Sequence, residues 1–275
     1  MRKTHQILIV LLCVGSAGFL PCTVEAQQTE ARADAANETA VVATPRHEAR
    51  DVAALPSVKD VLVKSVEAVG GQEAWSHTTS RRVKGVYQTE DSSTFFAIEI
   101  LQKSPNKSLM KLTFPNGLVL REVSDGQTAW VEDWKGGYHA YTGAALAVRL
   151  KEADLLVNLK TILSAAGGKV SGPEKVGAHT VYVVEYATVK NLVSRMYFDV
   201  ESGYLVRTED VYTTPEGPYV VKLDLDDYRD VEGLKFPFRM KRTEKGAVMN
   251  IRITQVMVNP AIDDSIFLKP ESASR

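Results

Sequence analysis

From Arg81 onward, apolar residues recur at every second position, in runs separated by only a few turn residues. Phe96, Ile98 and Ile100 alternate with Phe95, Ala97 and Glu99. Met110, Leu112 and Phe114 alternate with Lys111 and Thr113. Pro105-Asn106, Pro115-Asn116-Gly117 and Asp125-Gly126 punctuate these runs as turns. Further runs cover residues 181–187, 192–200, 204–212, 219–228, 234–242 and 248–258, bounded by signals such as Glu201-Ser202-Gly203, Pro215-Glu216-Gly217-Pro218 and Glu232-Gly233. The series amounts to eleven to thirteen strands, with connections too short for parallel crossovers. The pattern therefore predicts a large, strongly curved antiparallel meander with helices packed on one face, a mainly β (α+β) class.

Two or three segments read as helices. Ser57 follows Pro56 as a cap, with Asp60 three positions on, and Val58, Val61, Leu62, Ser65, Val66 and Val69 share one helical face. Gly70-Gly71 ends that helix, and Trp75 anchors a short second turn over residues 72–77. Residues 146–166 carry Leu155, Leu156, Leu159, Ile162 and Leu163 at helical spacing and predict one helix closed by Gly167-Gly168.

The N-terminus reads as an export signal. Arg2 and Lys3 precede an apolar run over residues 7–12 that weakens toward Leu20, and Val24-Glu25-Ala26 places small residues before Gln27. Cleavage is expected after Ala26. Cys13 and Cys22 are the chain's two cysteines, so the body holds no disulfide scaffold, zinc ribbon or thiol enzyme. Lipidation of Cys22, which would make an outer-membrane lipoprotein, fits less well, because Pro21 stands directly before it. Residues 27–56 lack an apolar period and read as a leader, residues 57–270 as one domain, and 271–275 as a tail.

Charge and motifs exclude several function classes. The 33 basic and 34 acidic residues leave a net charge of -1, against nucleic-acid binding through bulk charge. The sequence has no G-x-S-x-G, phosphate loop, dinucleotide fingerprint or H-E-x-x-H. His47, His77, His139 and His179 have no partners at metal-ligand spacing. Asp224, Asp226 and Asp227 offer paired carboxylates for Ca²⁺ or acid–base work, but Lys222 and Arg229 flank them and no calcium loop accompanies them. Trp130, Trp134, Tyr138 and Tyr141 cluster around one hairpin, as rim packing or as a partner surface.

Strand alternation places long, flexible apolar side chains on one face: Phe96, Ile98, Met110, Phe114, Met196, Phe198, Phe236, Phe238, Met240, Met249, Ile251, Ile253 and Met257. Met and Phe adapt to irregular apolar ligands. This face is expected either to line a cavity of several hundred Å³ for an acyl chain or to pack against the helices as core.

Several short stretches carry a resemblance. They are Glu67-Ala68-Val69-Gly70-Gly71-Gln72-Glu73-Ala74, Thr79-Ser80-Arg81, Tyr197-Phe198-Asp199, and Ser202-Gly203-Tyr204-Leu205 with Arg207. Asp227-Tyr228-Arg229-Asp230-Val231-Glu232-Gly233-Leu234-Lys235-Phe236-Pro237 and Ile262-Asp263-Asp264-Ser265-Ile266-Phe267 complete the set. Together, across about residues 57–270, the chain resembles exported outer-membrane lipoprotein-sorting-like proteins related in fold to the LolA and LolB carriers. The resemblance implies an open half-barrel whose helices cover an apolar concave face. It also implies a non-catalytic periplasmic carrier of lipid or lipoprotein acyl chains, without cofactor or metal, with peripheral membrane contact and an envelope protein partner as further expectations. An envelope interaction or sensor module with a filled core is the alternative, and a hydrolase acting through Asp224–Asp227 is a third.

Overall fold

The structure is a computed structural model and describes residues 55–133, 135–189, 192–214 and 217–269. The export signal, Cys13, Cys22, His47, most of the leader, Trp134, Pro215-Glu216 and the tail lie outside the described residues.

Local chemistry sets the opening turn. Ser57 Oγ accepts from the Asp60 amide at 3.1 Å, and the Asp60 carboxylate accepts from the Ser57 amide at 3.2 Å. This reciprocal cap starts α1 (Val58–Ala68), which buries Val61, Leu62, Ser65 and Val66. Gly70 and Gly71, at φ 116° and 81°, turn the chain into α2 (Gly71–Ser76) through a conformation that side chains resist. The Trp75 indole donates to the Val69 carbonyl at 3.1 Å and locks the two helices together.

Six strands follow: β1 (Ser80–Thr89), β2 (Phe95–Lys103), β3 (Lys107–Thr113), β4 (Val119–Ser124), β5 (Ala129–Glu132) and β6 (Tyr138–Ala140). The chain then runs through α3 (Gly143–Ala153) and α4 (Val157–Ser164) into seven more. These are β7 (Lys169–Val176), β8 (His179–Val189), β9 (Leu192–Asp199), β10 (Leu205–Thr214), β11 (Gly217–Val231), β12 (Leu234–Glu244) and β13 (Ala247–Val258). All thirteen form one antiparallel sheet, in the order β6-β5-β4-β3-β2-β1-β13-β12-β11-β10-β9-β8-β7. The sheet is not closed into a barrel. It is two meanders rather than one, joined where the first strand pairs with the last, from Arg81 opposite Val258 to Thr89 opposite Met249.

Two expectations are corrected. The helix expected over residues 146–166 is broken at Asp154, whose backbone is extended (φ -60°, ψ 120°). Its Oδ1 accepts from the Leu156 amide at 2.9 Å, the local bond by which Asp competes with helix continuation. Strand parity also fails near the C-terminus. Lys84 pairs with Gln255 but Gly85 with Ile253, so β13 carries an extra residue at Thr254. This bulge turns Val256 and Val258 toward the core and leaves Met257 38% exposed, off the face assigned to it.

The main core lies between the concave face of the sheet and the helices. A smaller cluster on the other face joins Leu109, Val123 and Trp130 to Phe267, fully buried on the single turn Asp264–Phe267. Among the described residues no helix is long and apolar enough to cross a membrane.

The β1–β13 seam depends on the smallness of Gly85. A Cβ there would stand 2.7 Å from the Arg252 carbonyl oxygen, which the ladder holds in place. Gly85→Ala is expected to lower stability by about 1–3 kcal/mol, the usual cost of overpacking. Urea denaturation reads this as a lower midpoint at unchanged slope. An unchanged midpoint would show that the strands part without cost.

Candidate ligand site

The concave face carries most of the predicted apolar set. Ile98, Met196, Phe198, Phe236, Phe238, Met240, Met249, Ile251 and Ile253 are all buried there. Phe96, Met110 and Phe114 pack against them half-buried, with Phe96 stacked on Tyr87 at 4.7 Å and edge-on to Phe114 at 5.3 Å. Met257 does not join them. Two spaces that border these residues differ in character. The more apolar is a cavity of about 90 Å³ under α1, α2 and α4, and of the predicted set only Phe236 and Met240 line it. The larger is an open cleft of about 540 Å³ that Met240 and Ile251 line together with polar residues such as Asp224, Asp226, Arg239 and Arg252.

Most of the wall of the 90 Å³ cavity comes from residues outside that set. Leu155, Leu156, Leu159 and Ile162 roof it from α4 and the turn before it, and Val69 and Trp75 close one end. Leu205, Leu223, Leu225 and Tyr228 form the floor. Leu223 and Leu225 were legible as the face opposite Asp224 and Asp226. Tyr228 was not: it follows Asp227, whose backbone at φ 57° interrupts the alternation locally while the register with β12 stays unshifted. The Tyr228 hydroxyl is spent on the Leu205 carbonyl, donating at 2.7 Å.

Arg81 is the unexpected member. It lies on the inward parity of β1 with Val83 and Tyr87 and is buried in the cavity wall. Its Nη2 donates to Gln102 Oε1, and its guanidinium stands 5.8 Å from the centre of the Phe236 ring. Gln102 in turn donates to the Glu152 carbonyl at 3.5 Å, which links the cavity wall to the last turn of α3.

That helix is seated by charge more than by apolar contact. It buries only Arg149 and Ala153. Arg149 Nη1 lies 2.5 Å from Glu152 Oε2 and 3.1 Å from Glu122 Oε1 on β4, and the Tyr141 hydroxyl donates to Glu122 at 2.9 Å. Burial pushes the Glu152 carboxyl up to about 7, with Arg149 opposing and Glu122 adding to the rise. Burial raises Glu122 as well, against the pull of Arg149 and the Tyr141 bond.

The remaining polar candidates lie elsewhere and are occupied. Asp224 accepts from Arg207 Nε at 2.5 Å, Asp226 pairs with Arg239 at 3.1 Å, and Asp227 with Arg229 at 2.7 Å. The cluster is a partly solvated ion-pair surface; none of the three lines the cavity under the helices, and Asp224 and Asp226 line the open cleft. His139 pairs with Asp133 at 3.2 Å and His179 with Asp199 at 3.0 Å, both at the surface, and His77 is exposed. No imidazole lines the cavity. Trp130 is buried against Tyr138 in the cluster that Phe267 completes, so this member of the aromatic group is packing. Among the described residues no group of three or more His, Cys, Asp or Glu is placed to hold a metal ion.

An open antiparallel sheet with helices across its concave face is an architecture with known counterparts. A LolA superfamily protein from Nitrosomonas europaea superposes with a TM-score of 0.50 at 13% identity, covering 78% of this chain and 99% of its own. The chain has a LolA-like fold. A DUF1329 family protein from Desulfovibrio piger gives a TM-score of 0.55 at 13% identity, over 80% of this chain and all of its own. A structure from Vibrio parahaemolyticus described as an outer-membrane lipoprotein-sorting protein domain gives 0.51 at 11% identity, over 77% and 97%. No protein-family model and no curated protein sequence matches the chain.

The charge cluster predicts a pH dependence. A carboxyl raised from 4.5 to about 7 by folding binds its proton more tightly in the native state. Its contribution to stability is therefore full below about pH 4.5 and is lost as pH rises through about 7. Urea midpoints measured from pH 4.5 to 8 should fall across that window, and the fall should be shallower in Glu152→Gln. An identical slope in the variant would remove Glu152 as its source.

Proposed function

We propose that the protein is an exported, non-catalytic binder of apolar chains, a carrier of lipids or of the acyl chains of lipoproteins in the bacterial periplasm. The observation that carries this reading is the cavity itself. It is walled mostly by apolar side chains, with Ser65, Arg81, Asn158 and Lys235 among them, and sits between the sheet and a roof that includes one short helix. The LolA-like fold and the lipoprotein-sorting description of one similar structure support it. The basic n-region and small residues before Gln27 support export, and the Pro21-Cys22 step argues against a lipid anchor.

At about 90 Å³ the cavity has room for roughly three waters, not for a long acyl chain. Binding therefore requires α4 to move. This helix of eight residues has no side-chain cap at its N-terminus, follows the Asp154 break and docks through Leu159 and Ile162. A helix so short depends on packing for its stability, which suits an element that lifts and reseats. The tightness of the interior favours a second reading, an envelope interaction or sensor module with a filled core. The two part on one point: a carrier loses function when the cavity is filled, and an interaction module does not.

Leu156 is half-buried at the cavity rim, so Leu156→Trp can fill the space with little strain. The variant is expected to bind a fluorescent acyl probe at least about tenfold more weakly than the parent, with thermal stability close to it. Mass spectrometry of solvent extracts from detergent-free protein should find a bound lipid in the parent and a depleted amount in the variant. Equal binding by both proteins would exclude this cavity as the acyl site. A clean parent that also ignores the probe would leave the interaction module.

A further inference from the structure

One polar atom in the cavity wall has no bonding partner. Ser65 lies on the buried side of α1, is fully shielded from solvent, and lines the cavity. Its Oγ makes no hydrogen bond. A serine within a helix ordinarily returns its hydroxyl to the carbonyl one turn back. A hydroxyl buried without a partner costs about 1–3 kcal/mol. Alanine would suit the helix better and avoid that cost. The other buried positions of α1, Val61, Leu62 and Val66, are apolar, so packing alone gives no account of Ser65.

Arg81 lines the same cavity from β1. Guanidinium groups only donate, whereas a hydroxyl can donate or accept. An acceptor oxygen therefore suits both kinds of side chain. Asn158 and Lys235 also line the cavity, and most of the remaining wall, including Trp75, Leu159, Leu223 and Phe236, is apolar. That arrangement is a small number of polar groups in a mostly apolar pocket, the usual form of a site that fixes the orientation of an amphiphile.

We propose that Ser65 and Arg81 form the polar end of the ligand pocket and receive the acyl oxygen of a lipid. The shared chemistry is that of a free fatty acid's carboxylate and an acylated lipid's ester carbonyl. The inference rests on the acyl-chain reading above and adds to it the group that is recognised. The rival is a buried water, which the cavity has room to hold and which would satisfy Ser65 without any ligand.

The test uses the full chain, delipidated, and its Ser65→Ala variant. Each is titrated with lauric acid, methyl laurate and dodecane by displacement of an apolar fluorescent probe, and each is melted without ligand. The variant is expected to melt no lower than the parent. It should bind the oxygen-bearing ligands about five- to tenfold more weakly and dodecane equally well. A loss for lauric acid alone identifies a free carboxylate, and a loss for both identifies the acyl carbonyl. If Ser65→Ala binds all three ligands as the parent does, or loses all three equally, the assignment of Ser65 is overturned while the acyl-chain reading stands. If the parent binds none of the three, both fall.

Discussion

The strand that opens the sheet must find the strand that ends the chain. Pairing β1 with β13 closes a loop containing nearly all of the other elements, an entropic cost of roughly 4–5 kcal/mol by polymer scaling. Side-chain bonds at the junction help hold it. Asn259 Oδ1 accepts from the Thr79 amide at 2.7 Å, and the Ser80 hydroxyl donates to the Pro260 carbonyl at 2.6 Å. Once the seam forms, each meander has one anchored strand and one free end, β6 on one side and β7 on the other. The halves fold as hairpins, but only the seam makes them one concave surface. The bulge opposite Gly85 bends that surface at its centre.

The same topology dictates where the cover lies. The chain leaves the sheet at one edge and re-enters at the opposite edge, so the connection between β6 and β7 has to cross a face. It crosses as α3 and α4. The apolar stripe of α4 meets the core, but α3 is held by Arg149 between Glu122 and Glu152. A buried ion cluster returns little net stability compared with apolar packing, and it fails abruptly when one partner is lost. The first half of the crossover, α3, is therefore held mainly by charge, and the second half, α4, roofs the cavity through apolar contact. α1 and α2 form the fixed side, locked by the Trp75 bond and by the Lys235 amide donating to the Val69 carbonyl at 3.1 Å.

What could be read in advance follows the range of the interaction. The Ser57 capping box, the Gly70-Gly71 turn and the alternation in β2 and β3 are set within a few residues, and the sequence displays them directly. The failures are places where one local bond or one extra residue resets a longer pattern. Asp154 breaks a helix whose apolar spacing runs on through the break. Thr254 shifts the register of β13 and removes Met257 from the inner face, and the left-handed Asp227 brings Tyr228 onto it without shifting the register of β11. The β1–β13 pairing leaves no periodic mark at all. The Met and Phe set was expected either to line a cavity or to pack as core, and most of it is packed against the helices. The cavity takes its shape from Leu155, Leu159, Leu223 and Leu225, unremarkable leucines whose role depends on which helix crosses above which strand.

A packed interior and a ligand pocket are compatible if the roof competes with the ligand for the same surface. Burying a methylene is worth about 0.8 kcal/mol, and exposing a buried leucine or isoleucine costs about 1.5–3 kcal/mol. Lifting α4 uncovers Leu155, Leu159 and Ile162, which are all buried in the closed form. On that scale roughly six to eleven methylenes offset the roof, and only longer chains gain from entering. Short apolar molecules would leave the closed state dominant, because a ligand shifts an equilibrium only by its differential affinity for the two states. Under the proposed acyl-chain reading, a roof that has to lift would act as a length filter. It also keeps the empty protein from presenting a large exposed apolar patch, which would otherwise invite aggregation.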